Sequence, residues 1–82
     1  MRGRKPSIYS TIINHIGVIS TSANGWNFEL NRVSWYGNEP KYDVRSWSAD
    51  HTKMGKGITL TEDELIALAD LLNKEVAFLR EE

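Results

Sequence analysis

The sequence predicts an α+β fold, four strands followed by one C-terminal helix, and three observations predict it. Segments rich in β-branched and aromatic residues, with stretches of period-two alternation, fill the first half of the chain. Turn residues separate them, at Ser22, Asn24 and Gly25 and again at Gly37, Asn38 and Pro40. Thr61 with Glu64 three positions on then opens a long segment of helical periodicity.

Residues 1–7 carry Arg2, Arg4, Lys5 and Pro6 and are expected to form a basic, flexible tail. Residues 8–82 are expected to form one domain. The first strand spans residues 8–21, with Ile8, Thr11, Ile12, Ile13, Ile16, Val18 and Ile19. Ile12, Ile16 and Val18 share one parity, and Ile13, His15 and Ile19 the other. Apolar residues on both faces imply a bulge, a twist or burial on two sides, and Gly17 is the candidate for the irregularity. His15 reads as a structural or surface side chain rather than a ligand.

The second strand spans residues 26–36. Trp26, Phe28 and Leu30 alternate on one face, then Val33 and Trp35 fall on the other, which predicts a bulge near Asn31 and Arg32. The turn at residues 37–40 joins it to a third strand over residues 41–48 as a hairpin. There Lys41, Asp43, Arg45 and Trp47 point one way, and Tyr42, Val44, Ser46 and Ser48 the other. The Val44 face is the expected core. The face of Arg45 and Trp47 is the expected binding surface, with Trp47 as a core residue the alternative. Residues 49–56 read as a polar loop with Gly55 and Gly57 as hinges, and residues 56–60 as a short fourth strand.

The helix is expected to run from Thr61 to about Arg80. Glu62, Asp63 and Glu64 suit its positive N-terminal end. Leu65, Leu68, Ala69, Leu72, Val76 and Leu79 form one apolar stripe, which Ile66, Leu71 and Phe78 widen. The surplus suggests a partner's helix, the alternative being a wide contact with the chain's own sheet.

Eighty-two residues make one domain near the lower limit for a self-sufficient core. There is no cysteine to staple it, so homodimerisation is the expected source of further buried area. His15 and His51 are the two histidines, too few for a conventional zinc site, and no metal or cofactor is expected. No apolar run approaches the ~20 residues of a membrane span, so a cytoplasmic protein is expected.

Net charge is −1, but its distribution is uneven. Up to Leu60 eight basic residues face four acids, a balance of +4; from Thr61 onward two face seven, a balance of −5. Any nucleic acid therefore belongs on the sheet half. Positive side chains beside flat rings suit an unpaired strand, the charges tracking phosphates and the rings stacking on bases. One acidic helix excludes a helix-turn-helix reader of duplex DNA. No nucleophile–base pair and no phosphate-cradling loop before a helix stands out, so no enzyme is expected. Ser46 and Ser48 lie near His51, but nothing in the sequence orients that imidazole.

With Asp43-Val-Arg45, Trp47 two residues on, and Gly55-Lys-Gly-Ile-Thr-Leu-Thr61 leading into the helix, the chain resembles the transcriptional positive cofactor four family of single-stranded DNA-binding proteins. The segment from Trp26 through Leu30-Asn-Arg-Val-Ser-Trp-Tyr-Gly37 resembles the small bacterial YdbC-type members in particular. The resemblance covers roughly residues 8 to 80. It implies a curved antiparallel sheet, a dimer with helices at the interface, and single-stranded DNA held on the sheets. Arg45 matches the family's arginine, Lys56 its lysine before Gly-Ile-Thr, and Tyr36, with Trp35 beside it, its aromatic near the turn. Members from higher organisms carry lysines in that turn where this chain has Asn38 and Glu39, so those phosphate contacts do not carry over. Their long regulatory tail has no counterpart here, so coactivation does not carry over either.

The residues expected to meet nucleic acid are Arg32, Trp35, Tyr36, Lys41, Arg45, Trp47, His51, Lys53 and Lys56. Those expected at the dimer interface are Leu65, Leu68, Leu72, Val76 and Leu79. The expected function is single-stranded DNA binding of low sequence specificity, in transcription, replication or repair. The alternatives are a single-stranded RNA binder and a dimeric protein-interaction module.

Overall fold

The computed structural model describes residues 9–81, so the expected basic tail lies outside the described residues. The elements are β1 (Ser10–Thr21), β2 (Asn27–Trp35), β3 (Lys41–Trp47), β4 (Met54–Leu60) and α1 (Glu62–Arg80). The strands form one antiparallel sheet in chain order, so each neighbour in sequence is a neighbour in the sheet. The expected fold class of four strands and one helix is therefore the observed one.

Turn chemistry explains the connections. Gly25 adopts a φ of +89°, and its N–H donates to the Ser22 carbonyl at 3.0 Å. Between β2 and β3, Tyr36 and Gly37 are both left-handed, at φ +55° and +75°. The Asn38 N–H closes that reversal on the Trp35 carbonyl at 2.9 Å. The glycine makes the second left-handed position free of steric cost.

Of the two irregularities expected, the one in β1 is observed, and the bulge near Asn31 and Arg32 in β2 is not. Register shifts fall between Ile12 and Asn14, His15 and Gly17, and Val18 and Ser20. Ile13, Ile16 and Ile19 are thus the extra residues, and twelve residues of β1 run beside nine of β2. Each bulge adds twist to the edge strand. β2 runs against β3 without interruption, and its change of parity simply marks apolar residues on both faces.

Those faces differ from the sequence expectation. The Val44 face does receive the helix: Leu30 and Val44, with Ile19, line a cleft of about 240 Å³ against Leu65, Leu68, Ala69 and Leu72. Yet the most deeply buried side chains, Glu29, Asn31, Val33, Asp43 and Trp47, share the opposite face, that of Arg45. Hydrogen-bonded polar groups form much of this second core. Gly55 and Gly57 also lie within β4 rather than acting as loop hinges.

The helix starts as the sequence predicts. The Glu64 N–H donates to the Thr61 hydroxyl at 3.1 Å, and the Thr61 N–H donates to the Glu64 carboxylate at 2.9 Å. No described residue of α1 is fully buried. Leu65 and Leu68 are half-buried against the chain's own sheet, while Leu72, Leu79, Leu71 and Phe78 are each more than half exposed. Among the described residues, no helix is long and apolar enough to cross a membrane.

Candidate functional site

Strand alternation sets Asp43, Arg45 and Trp47 on one face of β3, and Trp35 on the same face of β2. Asp43 is completely buried, so its charge needs partners. Arg45 supplies two hydrogen bonds, Nε to Oδ1 at 2.7 Å and Nη2 to Oδ2 at 2.8 Å, and Thr59 donates a third at 3.1 Å. This is the bidentate fork in which guanidinium pairs most strongly with carboxylate. The remaining side of Arg45 donates to the Gly55 carbonyl at 3.3 Å, and its guanidinium carbon lies 4.7 Å from the centre of the Trp35 ring. Such cation–π contact adds to the pair's fixed geometry.

Gly57 stands opposite Arg45 on β4. A Cβ there would overlap the Arg45 Cβ and the Val44 carbonyl oxygen, so only glycine lets the strands approach this closely. Asp-Val-Arg and Gly-Ile-Thr are therefore two halves of one network. Asp43 and Arg45 form the ion pair, Gly57 makes room for it, and Thr59 completes it.

The candidate residues are not equally placed. Tyr36 stands at the hairpin tip, 68% exposed, with its ring edge-on to Tyr9 at 5.6 Å. Lys41, Lys53 and Lys56 are exposed and make no ion pair among the described residues. Arg45 is 14% exposed, and its guanidinium is already engaged by Asp43, the Gly55 carbonyl and the Trp35 ring. Trp47 is 2% exposed, so of the two readings the sequence left open it is the core residue and not an open ring of the binding surface. Arg32 points to the helix side of the sheet, where it donates to Asn14 at 3.4 Å, and is not brought together with the others.

His51 is oriented after all. Its Nε2 lies 2.9 and 3.0 Å from the two oxygens of Glu29, a carboxylate that is 1% exposed. Asn31 donates to the same carboxylate at 2.9 Å, and His15 Nδ1 lies 2.7 Å from the Asn31 oxygen. Because both Glu29 oxygens accept, His51 Nε2 carries a proton. Because the Asn31 amide nitrogen serves Glu29, its oxygen accepts and His15 Nδ1 donates. Sequence reading missed Glu29, Asn31, Thr59 and Tyr9. The available signal was Glu29 itself, an acid in the middle of a strand between Phe28 and Leu30.

Burial opposes ionisation of Glu29, but the Asn31 amide, the His51 hydrogen bond and the charges of His51 and His15 prevail. Its pKa lies below the ordinary 4.5. The folded carboxyl thus binds its proton more weakly than the unfolded one. Its stabilisation is complete above pH 4.5 and is lost as pH falls through the lowered folded value. Glu29→Gln removes this titration. The stability gap between wild type and variant, measured by urea unfolding at neutral pH and at steps below 4.5, is expected to narrow on acidification. A gap that stayed constant would remove Glu29 from the acid limb. Asp50, an exposed loop residue, is lowered to about 2 by hydrogen bonds from the Thr52 hydroxyl and N–H and from Ser48.

Among the described residues, no group of three or more His, Cys, Asp or Glu is placed to hold a metal ion. The Arg45 face thus carries the guanidinium–indole stack and Lys41. Tyr36 stands exposed at the hairpin tip, Lys53 lies on the loop before β4, and Lys56 lies on the edge strand β4 beside Gly57, where alternation turns it away from Arg45.

A family model described as Transcriptional Coactivator p15 (PC4) matches residues 22–71, which include all of β2, β3, β4 and the first half of α1. The chain is also similar to an uncharacterized protein of Treponema pallidum (strain Nichols). The two are 60% identical over 57 residues, covering 70% of this chain and 67% of that one.

Proposed function

This chain belongs to the transcriptional coactivator p15 (PC4) family, a nucleic-acid-binding family, and we propose that it binds single-stranded DNA with little sequence specificity, as a homodimer, through the Arg45 face of its sheet. The observation that carries this reading is the grouping, on and around that face, of aromatic rings with exposed lysines that make no ion pair among the described residues. Lys41, Lys53 and Lys56 track phosphates. Tyr36 stacks on a base, and Trp35, held by Arg45, offers the neighbouring platform. Arg45 acts mainly by fixing Trp35 and the β3–β4 pairing. A duplex hides its bases in its own stack, so an unpaired strand is preferred. The strand runs over β2, β3, β4 and the 48–53 loop, away from the acids of α1. The setting is transcription, replication or repair.

Titration with oligo-dT, oligo-rU and duplex DNA across a salt series tests this. Lys56→Ala is expected to weaken oligo-dT binding uniformly across sequences and to make the log–log salt slope shallower by about 0.7, the value for one phosphate contact on a single strand. A flat salt response in the wild type would point to a hydrophobic protein partner instead. Tighter binding of oligo-rU would point to RNA.

A further inference from the structure

We infer that the 48–53 loop is a lid on Trp47, latched to the sheet by His51 and Glu29, and that a nucleobase takes the place of the His51 ring beside the indole when a single strand binds. The inference rests on the single-strand reading above and goes beyond it by assigning His51 a gating role.

Four observations carry it. The His51 ring centre lies 5.7 Å from that of Trp47, tilted by 37°, so the imidazole already occupies the position of an aromatic neighbour. The loop is held together internally. The Ser48 N–H donates to the Lys53 carbonyl at 2.9 Å, the Lys53 N–H donates to the Ser48 hydroxyl at 3.0 Å, and Asp50 accepts from Ser48 and Thr52. It can therefore move as a unit, and His51 is the side chain through which it reaches the buried Glu29. The closed state also carries internal costs. His51 adopts a left-handed φ of +62°, which non-glycine residues adopt only at a price in free energy, and the buried Trp47 indole N–H has no acceptor. Finally, a cleft of about 340 Å³ opens beside both rings, lined also by Ser10, Ile12, Thr52 and Met54. Swinging His51 out widens this cleft around the indole. A base carbonyl can then accept from the unpartnered N–H while its ring packs on the indole.

The closed latch explains how a tryptophan on the binding face is 2% exposed in the free chain. Opening exchanges the Glu29–His51 contact and one ring pair for a base–indole pair and one new hydrogen bond. The carboxylate keeps Asn31 and the nearby His15 when His51 leaves.

The test uses the full chain labelled with 5-fluorotryptophan, which gives separate fluorine resonances for its three tryptophans, Trp26, Trp35 and Trp47. In the wild type, oligo-dT is expected to shift the Trp47 resonance along with that of Trp35. His51→Gly removes the ring and suits the left-handed backbone, so the fold is retained. In that variant the Trp47 resonance is expected to gain a solvent isotope shift before any DNA is added, and oligo-dT is expected to bind several-fold more tightly. If oligo-dT moves Trp35 while Trp47 stays fixed in the wild type, the lid is wrong and the single-strand reading stands. A Trp47 resonance that remains protected in His51→Gly also overturns the lid. If no tryptophan responds and no complex forms, the single-strand reading falls and takes the lid with it.

Discussion

Arg45→Ala is expected to destabilise the fold by about 3–5 kcal/mol, because it strands a fully buried carboxylate without its counter-charge. Asp43 would retain only the Thr59 hydroxyl among its side-chain donors. The loss reaches further than one ion pair, since Arg45 also packs over Trp35 and bonds to the Gly55 carbonyl of β4. A double-mutant cycle in urea separates the parts. Asp43→Ala combined with Arg45→Ala is expected to cost clearly less than the sum of the two single changes, because no unpaired charge is then left inside. Strict additivity would sink the argument. Loss of DNA affinity in Arg45→Ala is therefore interpretable only beside its stability, and Lys56→Ala is the cleaner probe of phosphate contact.

That pair also marks where sequence reading succeeds and where it stops. Four strands, their turns and the capped helix were legible because each is written locally. Alternation names a strand, Gly25 and Gly37 name turns, and Thr61 with Glu64 names a helix start. That Asp43 and Arg45 share a face was legible, since residues two apart on one strand point the same way. The second core was not legible. Hydropathy assigns the inside to apolar residues, whereas here Glu29, Asn31 and Asp43 are buried by pairing with His15, His51, Arg45 and Thr59. His51 lies 22 residues from Glu29 and His15 lies 16 from Asn31, so no local pattern announces them. Trp47 follows the same logic. Its parity was legible, but the loop residue beside it was not. The bulges of β1 were half legible. Mixed parity signalled an irregularity near Gly17, but not that three isoleucines would each be the extra residue.

Leu72→Glu is expected to abolish the dimer, and in so small a chain to unfold much of the protein with it. Within one chain Leu72 lines the cleft between helix and sheet together with Ile19, Leu30 and Val44, yet it is 52% exposed. Leu79, Leu71 and Phe78 are exposed by 57 to 63%. A fully buried side chain of this kind contributes about 1.5–3 kcal/mol, so a helix that leaves them open forgoes much of its stabilisation. The sheet cannot supply the cover, since Leu65, Leu68, Ala69 and Leu72 are the helix residues that reach the cleft with it. Val76 and Leu79 continue the same stripe beyond that point, where a second copy of the helix would meet them. In a two-fold dimer each substitution occurs twice in one interface, so a carboxylate at position 72 brings two unpaired charges into the same apolar contact. The cost is several kcal/mol, more than a marginal domain can lose. Sedimentation velocity at micromolar concentration should give a dimer for the wild type and a monomer or unfolded chain for Leu72→Glu, with Val76→Asp behaving alike. A wild type that sediments as a folded monomer would instead mean that the exposed stripe serves a different partner. The Arg45 face would then have to bind its strand as a single sheet.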